Sequence, residues 1–526
     1  MAGMRTSSRS NTRPTAWSAS WGLSLVIVLL ANLSPSSSRA AADTVGASPP
    51  RLELSACRLK GVAHEARCGV LKRPLNPAEP AGAQIDVHVA VLPALARNKL
   101  PDPVLMFAGG PGQSAIELAG PVSQQLGRFL NRRDLVLIDQ RGTGQSAPLR
   151  CEDAESTRSS RLQDMLDPSA EDRRTLACLT RLKALPYGDL RYFTTTIAMQ
   201  DVEAVRLALG LGPINAIGGS YGTRAVLEYQ RQFPDSVRRA VIDGVAPPDM
   251  VLMRSMSTDV QAAFDALLAS CAQSPDCQRR YPDLAGQWRK LLGSLPREVT
   301  LEHPITGQPE RVTLTRDAVI TLIRTPLYAP MLAAALPLAI SEAANGRFMP
   351  LLGLGLGSIG GGRGMGLSTG MHFSVVCAED LPRLATATDV PGGDVGQGNE
   401  NMYRRVCSQW PQGVVPPAFY SVPAARHPVL LLSGSLDPVT PPRHAQRVAG
   451  LLGPQAAQVV VPNVGHGVMG LGCVRDVVYR FVDQPNPAKA LADVKTDAAC
   501  AANLPRPPAF VPVGAATAVT AGEGAK

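Results

Sequence analysis

The chain has 526 residues, 45% hydrophobic and 18% charged, which excludes wholesale disorder and leaves room for about two to four domains. The formal net charge is +9, but Lys and Arg are scattered without a basic run, so nucleic acid is not an expected partner. Glycine and proline are frequent, at 48 and 46 residues, yet short of a collagen-like or low-complexity composition.

Residues 1–42 read as a secretory signal. Arg5, Arg9 and Arg13 precede an apolar run from Trp21 to Leu33, and the small residues Ala40-Ala41-Ala42 follow. The run is too short to cross roughly 30 Å of hydrocarbon comfortably. The expected product is exported, periplasmic or extracellular, with no membrane partner after cleavage. Ten cysteines fit such a compartment. Spacing alone does not give connectivity, and neighbouring pairs are the working expectation: Cys57–Cys68, Cys151–Cys178, Cys271–Cys277, Cys377–Cys407 and Cys473–Cys500. None has the CxxC spacing of a zinc or redox site.

Residues 43–250 read as the first part of an α/β core. Cys68–Pro74 and Ile85–Leu92 alternate like antiparallel edge strands. Val104–Ala108, Leu135–Asp139, Ile214–Gly218 and Arg239–Asp243 are short apolar runs, as expected of strands buried on both faces. Helical patterns at Ile197–Leu209 and Thr223–Phe233 lie between them, so a mostly parallel sheet with helices on both faces is expected.

The alternation then stops, and residues 251–426 read as a large, mainly helical inserted cap. Its helical stretches are Thr258–Cys271, Leu284–Leu295, Arg316–Leu327 and Met331–Asn345. Gly353–Gly366 is glycine-rich and reads as a mobile loop. Gly355, Gly357 and Gly360 have GxGxxG spacing but no preceding strand, so a dinucleotide site is rejected and no cofactor or metal is expected. Residues 427–502 return to the core through Val429–Ser433, Arg443–Leu452 and Gln458–Pro462, and 503–526 read as a flexible tail.

Gly218-Gly219-Ser220-Tyr221-Gly222 falls between an apolar strand and a helical run. G-x-S-x-G in that setting is a nucleophile elbow, which lifts a serine hydroxyl above the end of the sheet. A serine needs a base, and the base needs an orienting acid, in the order Ser, Asp or Glu, His. Of the histidines that follow, only His466 lies in a glycine-rich loop just after a late strand. Asp437, beyond the end of Val429–Ser433, is the favoured acid, with Asp243 as its rival. The expected oxyanion donors are the backbone N–H groups of Tyr221 and of Gly110, in Ala108-Gly109-Gly110-Pro111-Gly112.

These segments, with Asp139-Gln140-Arg141-Gly142-Thr143-Gly144-Gln145-Ser146, resemble an α/β-hydrolase. More narrowly, they resemble the proline iminopeptidase and tripeptidyl aminopeptidase family of secreted serine peptidases. Ala108 stands where iminopeptidases usually carry His, a departure that argues against strict proline iminopeptidase activity. The resemblance implies an acidic anchor for a peptide's free amine, and Glu379 and Asp380 in Ser374–Asp380 occupy the matching segment. The expected function is an exported serine aminopeptidase acting on short peptides. A carboxylesterase with the same triad, acting on small esters, and a non-catalytic binding protein on the same fold are the rival readings.

Overall fold

The computed structural model describes residues 51–151, 160–360 and 366–512. The expected signal, 1–42, lies outside the described residues, as does the tail from 513. The strands in chain order are β1 (Ser55–Cys57), β2 (Ala66–Pro74), β3 (Gln84–Leu92), β4 (Val104–Phe107), β5 (Leu135–Ile138), β6 (Ile214–Gly219), β7 (Val237–Asp243), β8 (Arg297–Glu302), β9 (Pro309–Leu314), β10 (Val429–Gly434) and β11 (Ala456–Val461).

Nine of them form one sheet in the order β1-β2-β3-β5-β4-β6-β7-β10-β11. β1, β2 and β3 enter antiparallel, and from β5 to β11 every neighbouring pair is parallel. Every residue of β4, β5 and β10 is buried, because helices cover both faces and an all-apolar run satisfies both. The strand period of two divides these runs: Leu105 and Phe107 join the core on one face, Val104 and Met106 that on the other. The long helices Thr195–Ala208 and Tyr221–Gln232 pack on the first face, and Val474–Asp483 on the second.

Between β7 and β10 the chain leaves the sheet. Helices Leu252–Gln273, Leu284–Gly293, Arg316–Leu327 and Leu336–Ala344 enclose a third core around Phe264, Trp288, Val319, Ile323 and Ile340. The stretch read as a single 251–426 insertion serves two cores. Helices Thr369–Glu379 and Gly398–Cys407 place Phe373, Val375, Val376, Tyr403 and Val406 in the sheet's own core.

Two sequence expectations change here, and the mainly helical cap also holds an antiparallel hairpin of β8 and β9. The glycine-rich segment is helical over Met349–Gly360. Its leucines Leu351, Leu352 and Leu356 fill the cap core, and Gly355 allows the backbone to press against Leu322, where a Cβ would clash. The tail is held over its first residues: Phe510 N–H donates to Ala334 O at 2.8 Å, and Asn463 Nδ2 donates to Leu504 O at 2.8 Å. All five expected disulfides are present. No helix among the described residues is long and apolar enough to cross a membrane.

Candidate active site

β6 runs into the helix Tyr221–Gln232 through Ser220, whose φ of 56° and ψ of −125° lie in a region that L residues rarely occupy. Such strain costs about 1–3 kcal/mol and persists only where surrounding structure enforces it. The flanking glycines are part of that enforcement. A Cβ at Gly218 would run into the Gly222 carbonyl, and one at Gly222 into the Phe107 carbonyl. Ser220 occupies the N-cap position, yet its side chain caps nothing, so the hydroxyl stays uncommitted to the helix. Its backbone N–H donates to Asp243 O at 2.9 Å, tying the elbow to the end of β7.

The Gly109–Gly112 turn lies beside the serine, since a Cβ on Gly109 would come within 3.3 Å of Ser220 Cβ. Gly110 has φ +111°, a conformation open to glycine and strained for any side chain. Tyr221 is the first residue of its helix, where N–H groups lack intrahelical acceptors and favour negative charge. Asp139 braces this corner, accepting from Ser114 Oγ at 2.6 Å and from Ile116 N at 3.1 Å. Arg141 is fully buried in a bidentate pair with Asp201.

His466 and Asp437 meet at the same end of the sheet. Nδ1–H of His466 donates to Asp437 Oδ2 at 2.8 Å. Asp437 Oδ1 accepts from the N–H groups of Val439 and Thr440, both at 2.9 Å, and Thr440 Oγ1 donates to Oδ2 at 2.9 Å. Burial works to raise the Asp437 pKa, but the His466 charge and these hydrogen bonds overcome it and hold the carboxyl below its ordinary value. Burial likewise works against the imidazolium of His466, and Asp437 outweighs it, leaving the imidazole pKa raised. Gly244 packs against the ring, and the Tyr328 ring meets it edge-on with centroids 5.3 Å apart. Tyr328 O also accepts the His466 backbone N–H at 2.9 Å, joining the cap to the His466 loop.

Asp243, the rival acid, has a different task. Its Oδ2 accepts from the N–H groups of Val468 at 2.8 Å and Met469 at 2.7 Å, pinning the loop just after His466. Desolvation pushes its pKa up to about 6.

Glu379 and Asp380 require a correction. Both are sealed from solvent and already partnered. Glu379 accepts from Thr195 N at 2.7 Å, from Thr195 Oγ1 at 3.1 Å and from Arg224 Nη1 at 3.3 Å. Asp380 accepts from Arg224 Nη1 at 2.7 Å and Leu252 N at 3.2 Å. In this structure both carboxylates are occupied by protein donors, and no position for a substrate amine is open between them and solvent. They hold the elbow helix, because Arg224 lies four residues past Ser220 and the Tyr221 hydroxyl is 2.7 Å from Thr195 Oγ1.

Sequence reasoning missed Thr440, Tyr328 and this buried network. Thr440 was within reach, three residues past Asp437 in an Asp-Pro-Val-Thr turn where a hydroxyl folds back onto the carboxylate. Tyr328 carried no local signal, since it meets His466 only through the packing of the cap.

The alpha/beta hydrolase fold family matches residues 102–289, and the TAP-like protein family matches residues 395–500. Among curated relatives, the tripeptidyl aminopeptidase of Streptomyces lividans is 31% identical over 191 residues, 35% of this chain and 36% of that one. The serine protease Hip1 of Mycobacterium tuberculosis is 30% identical over 305 residues, covering 55% and 58%. Carboxylesterase B of Mycobacterium tuberculosis is 28% identical over 468 residues, covering 81% and 86%. The match thus spans about a third of the first relative's length and less than two thirds of the second's.

Proposed function

Since the chain belongs to the α/β-hydrolases and carries a TAP-like segment near its C terminus, we propose that it is an exported serine peptidase that cuts short peptides near a free N terminus. The observation that carries the reading is the His466–Asp437 hydrogen bond at the end of the sheet where Ser220 sits strained in its elbow. His466 Nε2 takes the Ser220 proton as the hydroxyl attacks the scissile carbonyl. Asp437 holds the imidazole tautomer and stabilises the imidazolium. The N–H groups of Gly110 and Tyr221 receive the developing oxyanion, each such donor contributing about 2.7–4 kcal/mol to the transition state. His466 then returns the proton to the leaving amine, and water cleaves the acyl-enzyme with His466 again as base.

Peptide chemistry is supported by the relatives named as a tripeptidyl aminopeptidase and a serine protease. Export is supported by the five disulfides, which persist in oxidising compartments. The test is fluorophosphonate labelling of Ser220, followed by turnover of matched peptide amides with free and acetylated N termini. Ser220→Ala should lose about 10⁴- to 10⁶-fold in kcat with an unchanged melting temperature. Failure of Ser220 to label would defeat the hydrolase reading.

A second reading, a carboxylesterase, is favoured by the relative of that name, which aligns over most of its own length. Rapid turnover of simple esters, with peptide amides left intact, would select it.

A further inference from the structure

Arg324 lies on the cap helix Arg316–Leu327, four residues before Tyr328, and residues at that spacing share a helix face. Tyr328 is the residue whose ring and carbonyl both meet His466. Arg324 therefore lies on the side of the cap helix that meets the base. A second wall comes from helix Gly398–Cys407. The Tyr403 hydroxyl there is 2.7 Å from His372 Nε2, and His372 lies against Pro111 of the Gly109–Gly112 turn. Burial raises the pKa of both phenols, and the Arg324 guanidinium opposes the rise in each, so its charge is close to Tyr328 and to Tyr403 at once. Arg324 thus belongs to the cap helix that reaches His466 through Tyr328.

Its own partners are few. Nη1 donates to Met256 Sδ at 3.4 Å, a weak acceptor, and among the described residues no carboxylate pairs with it. Arg316, at the start of the same helix, does pair with Asp394 at 3.4 Å. Arg324 keeps partial solvent exposure. The acids across the elbow, Glu379 and Asp380, are meanwhile paired with Arg224 and closed to solvent. Among the described residues Arg324 has no carboxylate partner, and Glu171, on the helix Pro168–Lys183, acts on Tyr403 as well.

We infer that Arg324 is the specificity residue for a carboxylate on the substrate, so that the molecules cut at Ser220 carry an anionic group. A guanidinium suits this role, because its planar fork matches a carboxylate with two parallel hydrogen bonds. That group is either the C-terminal carboxylate of a short peptide or an acidic side chain. The inference rests on the hydrolase reading of Ser220.

The experiment uses the full mature chain and two matched pairs of peptides. One pair differs in a free or amidated C terminus, the other in Glu or Gln at one position. The unmodified protein should favour the carboxylate-bearing member of one pair by about 10- to 100-fold in kcat/KM, mainly through KM. Which pair responds identifies the source of the carboxylate. Arg324→Met should collapse that preference toward unity, and Arg324→Lys should restore part of it. If Arg324→Met does not fold, the preference of the unmodified protein and its weakening in Arg324→Lys still decide. Equal rates within both pairs, with Ser220 still labelled by fluorophosphonate, overturn the inference and leave the hydrolase reading intact. Absence of label and of turnover overturns both.

Discussion

Two buried carboxylate clusters flank the Ser220 elbow, and they are built oppositely. Asp437 faces His466 and takes hydrogen bonds from Val439, Thr440 and the imidazole, so its pKa is lowered despite burial. Glu379 is equally buried, but its partners do not offset the loss of water, and desolvation pushes its pKa up to about 7. The first carboxylate keeps its charge beside the imidazole that, in the proposed mechanism, takes the Ser220 proton. The second shares a single guanidinium with Asp380 and locks a helix in place. Burial does not assign a carboxylate its role; the number and aim of its donors do.

The sharpest way to break this comparison is Asp437→Asn, which should lower kcat by about 10⁴-fold by disfavouring the productive imidazole tautomer. Asp243→Asn should cost far less, because Asp243 bonds to the loop backbone and not to the imidazole. The reverse ranking would reassign the acid. The pH profile adds a second measure. A base acts only when deprotonated, and the raised His466 pKa puts the acid limb of kcat/KM above the ordinary imidazole value of 6.5. In Asp437→Asn the limb of the residual activity should move to lower pH.

On the other side of the elbow, Arg224→Met strands two buried acids without their cation. Denaturant unfolding at neutral pH should register a loss of about 3–5 kcal/mol. The deficit should shrink under acid as the carboxyls take up protons.

Glu379→Gln probes the same cluster more gently. The folded pKa is raised above its ordinary value of 4.5, so between there and about 7 the native state binds more protons than the unfolded one. Stability from this group is therefore present at low pH and lost as pH rises through that window. The substitution should flatten the stability curve there, by on the order of 2–3 kcal/mol across the window. An unchanged curve would show that Glu379 is charged throughout.

Thr440→Val gives the smallest expected effect. It removes one donor to Asp437 Oδ2 and leaves the two backbone donors to Oδ1 in place. A hydrogen bond to a charged group contributes about 1.5–3 kcal/mol, and with both backbone donors kept kcat/KM should fall by no more than about 10- to 100-fold.

The parallel strands were legible because burial on both faces demands an unbroken apolar run, and Val104–Phe107, Leu135–Ile138 and Val429–Gly434 each supply one. The elbow was legible because close backbone contacts at Gly218 and Gly222 forbid a side chain. The hairpin of β8 and β9 was overlooked inside a segment read for helices. Met349–Gly360 was misread because glycine was scored for its freedom, while Leu351, Leu352 and Leu356 carried a buried helix face. Glu379 and Asp380 were given a substrate role because nothing local reveals that Arg224, more than 150 residues earlier, lies between them.

By itself, the sequence determined the core strands with their helices, the serine turn and the segments that carry the candidate Ser, Asp and His, since each segment is written in residues adjacent along the chain. Tertiary structure decided which carboxylate His466 bonds, that Glu379 and Asp380 are occupied by Arg224, and that Arg324 has no carboxylate partner among the described residues. Those outcomes depend on how segments distant in sequence share donors and exclude water, and Coulomb interactions in a folded interior are set by that packing.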